Sequence, residues 1–237
     1  MPPKTKRSRV KLLIFAIAII FCLIFEVSCR VPVPVDESGY DNLTLGIPGP
    51  ADTIIDRPGY ALGYDELHEQ AAWVICRLTA EELRTKVSSR SDDFRADPDI
   101  PTGSAMPADY KKSGFDRGHM APAADMAHSA RTMSDSFYMS NICPQRPECN
   151  RKIWKNLENQ VRKFALAEQD VYIVAGPIFL KTPLRTIGAN KVAVPDAFYK
   201  IIYDQTPPQK MLAFIVPNDG SSAPLQSFVV TGDRVEK

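Results

Sequence analysis

One segment of this chain can be only a helix, and it lies among segments that cannot be. From Asn150 to Glu168, Ile153, Leu157, Val161 and Phe164 recur at spacings of four, four and three, which puts them on one stripe of an α-helix. Before it, Tyr60 to Tyr64 and Ala71 to Leu78 read as two strands around the polar turn Asp65 to Gln70, a hairpin. After it, Val171 to Gly176, Val192 to Pro195, Ala197 to Tyr203 and Met211 to Val216 read as further strands. Twenty prolines argue for ordered loops over a helical bundle. Strands on both sides of one central helix predict an α+β fold with a mixed, mainly antiparallel sheet.

The remaining segments carry weaker signals. Phe115 to Met120 reads as the end of a strand, with Gly118 allowing a sharp turn. Met126 to Tyr138 has helical character without strong periodicity. Ser88 to Ala108 is polar and broken by Pro98, Pro101 and Pro107, so it reads as a long loop, the kind that often carries function.

A basic stretch from Lys4 to Lys11 precedes an unbroken apolar run of 14 residues, Leu12 to Phe25. That run is short for a membrane span, which needs about 20 residues, and suits the apolar region of a secretory signal. Glu26-Val27-Ser28-Cys29 follows. Ser28 before Cys29 resembles a bacterial lipoprotein cleavage box, in which Cys29 would be lipidated, whereas Glu26 departs from the large aliphatic residue usual there. Ordinary cleavage and an uncleaved anchor stay open. The expected organisation is a leader over residues 1–29, an extended Val/Pro tether over 30–41 and a single domain over 42–237. The expected destination is export in a bacterium: periplasmic, lipid-anchored at the cell surface, or extracellular.

Export changes two other readings. The whole chain has 29 basic and 28 acidic side chains, and the leader holds five of the former and one of the latter, so the mature protein is about −3. A slightly acidic protein cannot hold nucleic acid by bulk attraction, and any binding must come from a local basic patch. An oxidising compartment would also permit a Cys143–Cys149 bridge bracing the approach to Asn150, with free thiols as the alternative.

Between Phe115 and Glu158 the chain concentrates groups suited to cutting a phosphodiester. That reaction needs an activated water, a cation at the phosphate and a way to neutralise developing charge. His119 can activate water, Arg117 can offset phosphate charge, and Asn150 offers a neutral oxygen suited to a hard cation such as Mg²⁺. If Asn150 opens a regular helix, Glu158 lies eight residues on, about 12 Å along the axis. Glu158 is then expected to accept a hydrogen bond from water on the ion rather than ligate the ion directly.

Asp116-Arg117-Gly118-His119, then Ser140-Asn141 with Pro144-Gln145, then Asn150 and Trp154-Lys155-Asn156-Leu157-Glu158 resemble the DNA/RNA non-specific endonuclease family. This is the ββα-metal group that includes endonuclease G and secreted sugar-non-specific nucleases. Gly46-Ile47-Pro48, Gly59-Tyr60 to Tyr64, Trp73 to Leu78, Phe94-Arg95, Gly176-Pro177-Ile178-Phe179 and Val194 to Lys200 extend the resemblance from about Asn42 onward. It implies a ββα-metal catalytic core and endonucleolytic cleavage of DNA and RNA that leaves 5′-phosphates. It implies His119 as general base, Asn150 as the single protein ligand of Mg²⁺ (or Mn²⁺ or another divalent cation), Glu158 orienting water, and Asn141 positioning the site. Arg117 would meet phosphate, and an arginine of the preceding loop, Arg90 or Arg95, would assist. Homodimers are common in the family, and a protective inhibitor is open.

Two other classes compete. His119, His128, Cys143 and Cys149 could form a structural zinc site in a nucleic-acid-binding module, although H-x8-H followed by C-x5-C matches no common finger. A non-catalytic surface protein could bind extracellular nucleic acid, but binding alone does not require a general base. His68 and His128 read as structural, and Trp154 as core.

Overall fold

A computed structural model describes residues 40–235 of the chain. The leader, Cys29 and most of the tether lie outside the described residues. Three strands open the domain as a meander: β1 (Thr53–Arg57), β2 (Tyr60–Asp65) and β3 (Gln70–Thr79). β3 ends in a short helix, α1 (Ala80–Arg84), whose start is fixed by a reciprocal cap: the Thr79 hydroxyl accepts the Glu82 N–H, and the Glu82 carboxylate accepts the Thr79 N–H.

A small ribbon follows, β4 (Asp116–His119) paired antiparallel with β5 (Ile142–Gln145), with a short helix α2 (Ala130–Asp135) in the connection. The chain then enters the long helix. Cys149–Trp154 winds as a π-helix, and α3 (Lys155–Glu168) continues it as an α-helix. β6 (Asp170–Ile178) returns to the main sheet, the two-residue pair β7 (Thr186–Ile187) and β8 (Val192–Ala193) forms a side ribbon, and β9 (Ala197–Asp204), β10 (Lys210–Pro217) and β11 (Val229–Val230) complete the sheet. The seven strands run in the order β1-β2-β3-β6-β9-β10-β11, antiparallel at every pairing. The expected α+β class and antiparallel sheet are found.

The stripe on the helix does what its spacing predicts. Ile153, Leu157 and Val161 are buried with Val74, Cys76, Ile173 and Ala175 from β3 and β6, and Phe164 packs at the margin. The helix therefore lies on the face of the central strands, which fixes the height of its first turns above the sheet.

Three expectations need correction. Cys143 and Cys149 are free and buried, both in the main core cluster, where burial pushes the Cys149 thiol up to about 12 and Cys143 higher still. Gly118 does not turn the chain. It lies inside β4 because an added Cβ would sit 2.2–2.4 Å from the Gln145 side chain, which crosses its face. The helix does not begin as a regular α-helix at Asn150, because that residue lies in the π-helical turn.

The long loop before β4 is held by a buried ion pair. Arg57 Nη2 donates to Asp97 Oδ1 and Oδ2 at 2.7 and 2.8 Å, and the Ser140 hydroxyl donates to the same carboxylate. An isolated bridge between Arg95 and Tyr138 adds a second tie. The loop that carries Arg90 is therefore anchored to the sheet and to the approach to β5.

Candidate active site

His119 ends β4 and is 8% exposed. Its backbone oxygen accepts the Trp154 indole N–H at 3.3 Å, which clips the end of the ribbon to the start of the long helix. The ring stands edge-on to Phe137 at 4.9 Å and to Phe94 at 5.5 Å between centroids. Its Nε2 is buried and makes no hydrogen bond. Burial, reinforced by the positive charges of Arg90 and Arg117, lowers the imidazole to about 3. The ring is therefore neutral at physiological pH, and its Nε2 is without a partner.

The same two phenylalanines carry the arginines. The Arg117 guanidinium lies 3.9 Å from the Phe94 centroid, and that of Arg90 lies 4.8 Å from the Phe137 centroid. Phe94 and Phe137 meet edge to face at 4.8 Å. A base and two cations thus share one aromatic frame. Arg90 is partly engaged by Asp92 at 2.7 Å, whereas Arg117 is exposed and feels the Asp116 carboxylate without a direct ion pair among the described residues.

Asn150 and Glu158 line a cavity of about 310 Å³ together with Arg90, Arg117, His119, Arg151 and Arg162. Asn150 Nδ2 donates to Asp116 Oδ2 at 3.0 Å, which leaves Oδ1 as the unshared acceptor of the amide. Asp116 also takes a two-pronged contact from Arg151 at 2.8 and 2.7 Å. Burial alone would raise the Asp116 carboxyl, but the hydrogen bonds from Arg151 and Asn150 hold it below its usual value. Glu158 is moved the other way. Burial raises it to about 7, against the pull of Lys200.

Behind the cavity lies a buried polar layer that the sequence did not announce. Lys200 is 1% exposed, its ammonium 4.6 Å from the Trp154 ring centroid and 3.5 Å from the Met120 carbonyl oxygen. Asp125, also buried, pairs with Arg162 at 2.6 Å. In the sequence Lys200 is only the end of a strand motif. A lysine fully buried in a strand is visible only once the helix is laid over it.

The residues present fit a hard divalent cation. An amide oxygen with no other partner, a half-buried carboxylate whose burial outweighs the pull of Lys200, Arg162 and Arg90, and room for water between them are the donor set such an ion takes. Among the described residues no group of three or more His, Cys, Asp or Glu could enclose a metal, so an ion here would keep most of its own water. The same fact tells against the alternative zinc set among the described residues. His119 faces the phenylalanines, His128 sits 3.6 Å from Glu82, and Cys143 and Cys149 are in the core.

Asn141, expected to position the site, acts through backbone and does not line the cavity. It is fully buried, with Oδ1 accepting the Ala121 N–H at 2.9 Å and Nδ2 donating to the Ala121 and Ser136 carbonyls at 3.0 and 2.8 Å. It positions the backbone just after His119 and touches nothing that reacts. Arg95 is not at the site either. It is taken up by Asp93 at 2.8 Å, the Ser134 carbonyl at 2.9 Å and the Tyr138 ring at 3.9 Å. Of the two loop arginines, only Arg90 borders the cavity. His68, stacked on Phe179 and paired with Asp65 at 2.5 Å, is structural.

Comparison with known proteins agrees with this geometry. The family model described as DNA/RNA non-specific endonuclease matches residues 38–237. Human mitochondrial endonuclease G is 36% identical over 206 residues, covering 81% of this chain and 69% of its own. Nuclease C1 of Cunninghamella echinulata var. echinulata is 38% identical over 211 residues, covering 82% and 84%. A solved structure of an EndoG/EndoGI complex superimposes with a TM-score of 0.76 at 32% identity, covering 83% of this chain and 86% of that one.

Proposed function

Because the chain belongs to the DNA/RNA non-specific endonuclease family, a group of metal-dependent nucleases, we propose that it is an exported enzyme that cuts DNA and RNA with Mg²⁺ and leaves 5′-phosphates. The observation that carries this reading is the buried, unpartnered Nε2 of His119 in one cavity with Asn150, Glu158, Arg90 and Arg117.

His119 Nε2 takes a proton from water, and the oxygen of that water bonds to phosphorus. The bond to O3′ breaks, the departing oxygen is protonated by solvent, and the phosphate stays on the 5′ side. Arg117 and Arg90, seated over Phe94 and Phe137, offset the charge that grows on the phosphate oxygens. Asn150 Oδ1 would hold Mg²⁺, with Glu158 accepting from its water. Bound there, the ion supplies Lewis-acid stabilisation of the phosphate. Asp116 keeps the Asn150 amide oriented, and Asn141 fixes the backbone beyond His119. All these groups address phosphate, and none addresses a base edge, which supports cleavage with little sequence preference.

Digestion of supercoiled plasmid and of RNA in Mg²⁺, with and without EDTA, tests the activity. End-labelling of the fragments tests the product. Fragments that accept label at the 5′ end only after phosphatase treatment support the reading, and 3′-phosphate ends would overturn the direction of attack. Export rests on the leader and on the Cys29 box. Intact-mass measurement of the protein from membrane and soluble fractions tests it, and a full-length chain retained in the cytoplasm would count against it.

A further inference from the structure

Phe115 stands immediately before β4, and two guanidiniums lie against its ring. That of Arg185 is 4.8 Å from the centroid and that of Arg146 is 5.7 Å. The ring is 8% exposed, while both arginines are exposed. Neither has an acidic partner among the described residues. With Lys181, Pro195 and Asn218 they border a cavity of about 600 Å³. Phe115 also borders the neighbouring cavity of about 600 Å³ that contains Arg90, Arg117 and Asn150. The concave surface in front of the catalytic residues therefore runs past Phe115 to the paired arginines.

The cavity holds two carboxylates, and neither cancels these cations. Asp196 is engaged by Lys181 at 2.6 Å and accepts the Leu180 and Lys181 N–H groups at 2.8 and 3.1 Å. Asp219 caps the Ser221 N–H at 2.9 Å. The backbone around the arginines is fixed. Arg146 donates its N–H to Asn218 Oδ1 at 2.8 Å, and Asn218 in turn donates to the Pro144 and Pro195 carbonyls at 3.0 and 2.9 Å. The Arg185 carbonyl accepts the Val194 N–H at 2.8 Å. Two guanidiniums held on an aromatic ring, on braced backbone and without counter-charge, lose little freedom when they meet an anion.

We propose that Arg146 and Arg185, stacked on Phe115, form a phosphate-binding subsite for the substrate strand, some distance from the bond that is cut. Phe115 precedes His119 by four residues of extended chain, about 13 Å at 3.3 Å per residue. An extended single strand covers that distance in about two nucleotides, further than the two phosphates of a trinucleotide span. This subsite rests on the nuclease reading above. It explains how a protein that is slightly acidic beyond its leader engages nucleic acid: the affinity is local and lies along one groove.

The test compares the full-length protein with Arg146→Ala/Arg185→Ala and with Arg146→Lys/Arg185→Lys, on a 12-nucleotide single strand and a trinucleotide. Binding to the 12-mer, measured in the His119→Ala background, should lose about 1.4 from the slope of log affinity against log salt in the alanine variant, two phosphate contacts at about 0.7 each. The lysine variant should keep part of that slope. The ratio of kcat/KM on the 12-mer to that on the trinucleotide should fall about tenfold through KM. An unchanged slope, or an equal loss on both lengths, overturns the subsite. A parent that cuts nothing but shows a salt slope that the alanine variant loses would sink the nuclease reading and leave the subsite standing.

Discussion

The Asp116 carboxylate accepts the Asn150 Nδ2–H at 3.0 Å and so decides which end of that amide is offered to a cation. The neighbouring Arg151 holds the carboxylate in turn. The first residue of β4 therefore orients a side chain in the π-helical turn, across the junction of ribbon and helix.

If this orientation matters, Asp116→Ala should raise the Mg²⁺ concentration for half-maximal nicking by about 10- to 100-fold while leaving much of the rate at saturating Mg²⁺. A Mg²⁺ titration of plasmid nicking checks it. A rate loss that saturating metal does not recover would assign Asp116 another role.

The acid limb of activity should belong to Glu158. His119 is lowered to about 3 and is neutral throughout the useful range, whereas Glu158 is raised to about 7 and must ionise to serve a cation. Below pH 7 a proton competes with metal, so at low Mg²⁺ the rate should fall about tenfold per pH unit, and raising Mg²⁺ should move the limb to lower pH. Rate profiles at two Mg²⁺ concentrations decide this. A limb near 6.5 that ignores Mg²⁺ would point to the imidazole instead.

The same carboxylate should cost stability in the metal-free protein. Folded, it holds its proton up to about 7; unfolded, it releases it near 4.5, so it is neutral to stability below that window and an increasing penalty as pH rises through it. Melting in EDTA should show a decline between about pH 4.5 and pH 7 that is smaller in Glu158→Gln. An equal decline in both would contradict the assignment.

Gly118→Ala should disturb the ribbon that carries Arg117 and His119, because its Cβ would overlap the Gln145 side chain. Shortening that side chain removes the obstacle. Activity lost in Gly118→Ala should return, at least in part, in Gly118→Ala/Gln145→Ala. A double variant no better than the single one would place the requirement for glycine elsewhere.

The elements that follow a period were legible before the fold was seen. The Ile153, Leu157, Val161 and Phe164 stripe announced the long helix, and the apolar runs of β2, β3, β6, β9 and β10 announced the sheet. What escaped depends on contacts between distant segments. The π-helical turn at Asn150 leaves the apolar spacing untouched, so nothing in the sequence separates it from a regular start. Arg90 and Arg95 lie in one aperiodic loop, and only Phe137 on one side and Asp93, Ser134 and Tyr138 on the other tell them apart. Cys143 and Cys149 are six residues apart, which suggested a bridge, but their burial in a common core does not amount to one. Phe137, a main support of the catalytic frame, carried no signal because an aromatic residue in a weak helical stretch reads as ordinary core.

The most direct measurement sets His119→Ala beside the parent on plasmid and on RNA in Mg²⁺, with melting temperatures recorded for both. Removal of a positioned base should lower the rate on both substrates by about 10²- to 10⁴-fold while the protein stays folded. A folded variant that cuts within a few-fold of the parent would contradict His119 as the base, and with it the account of this site.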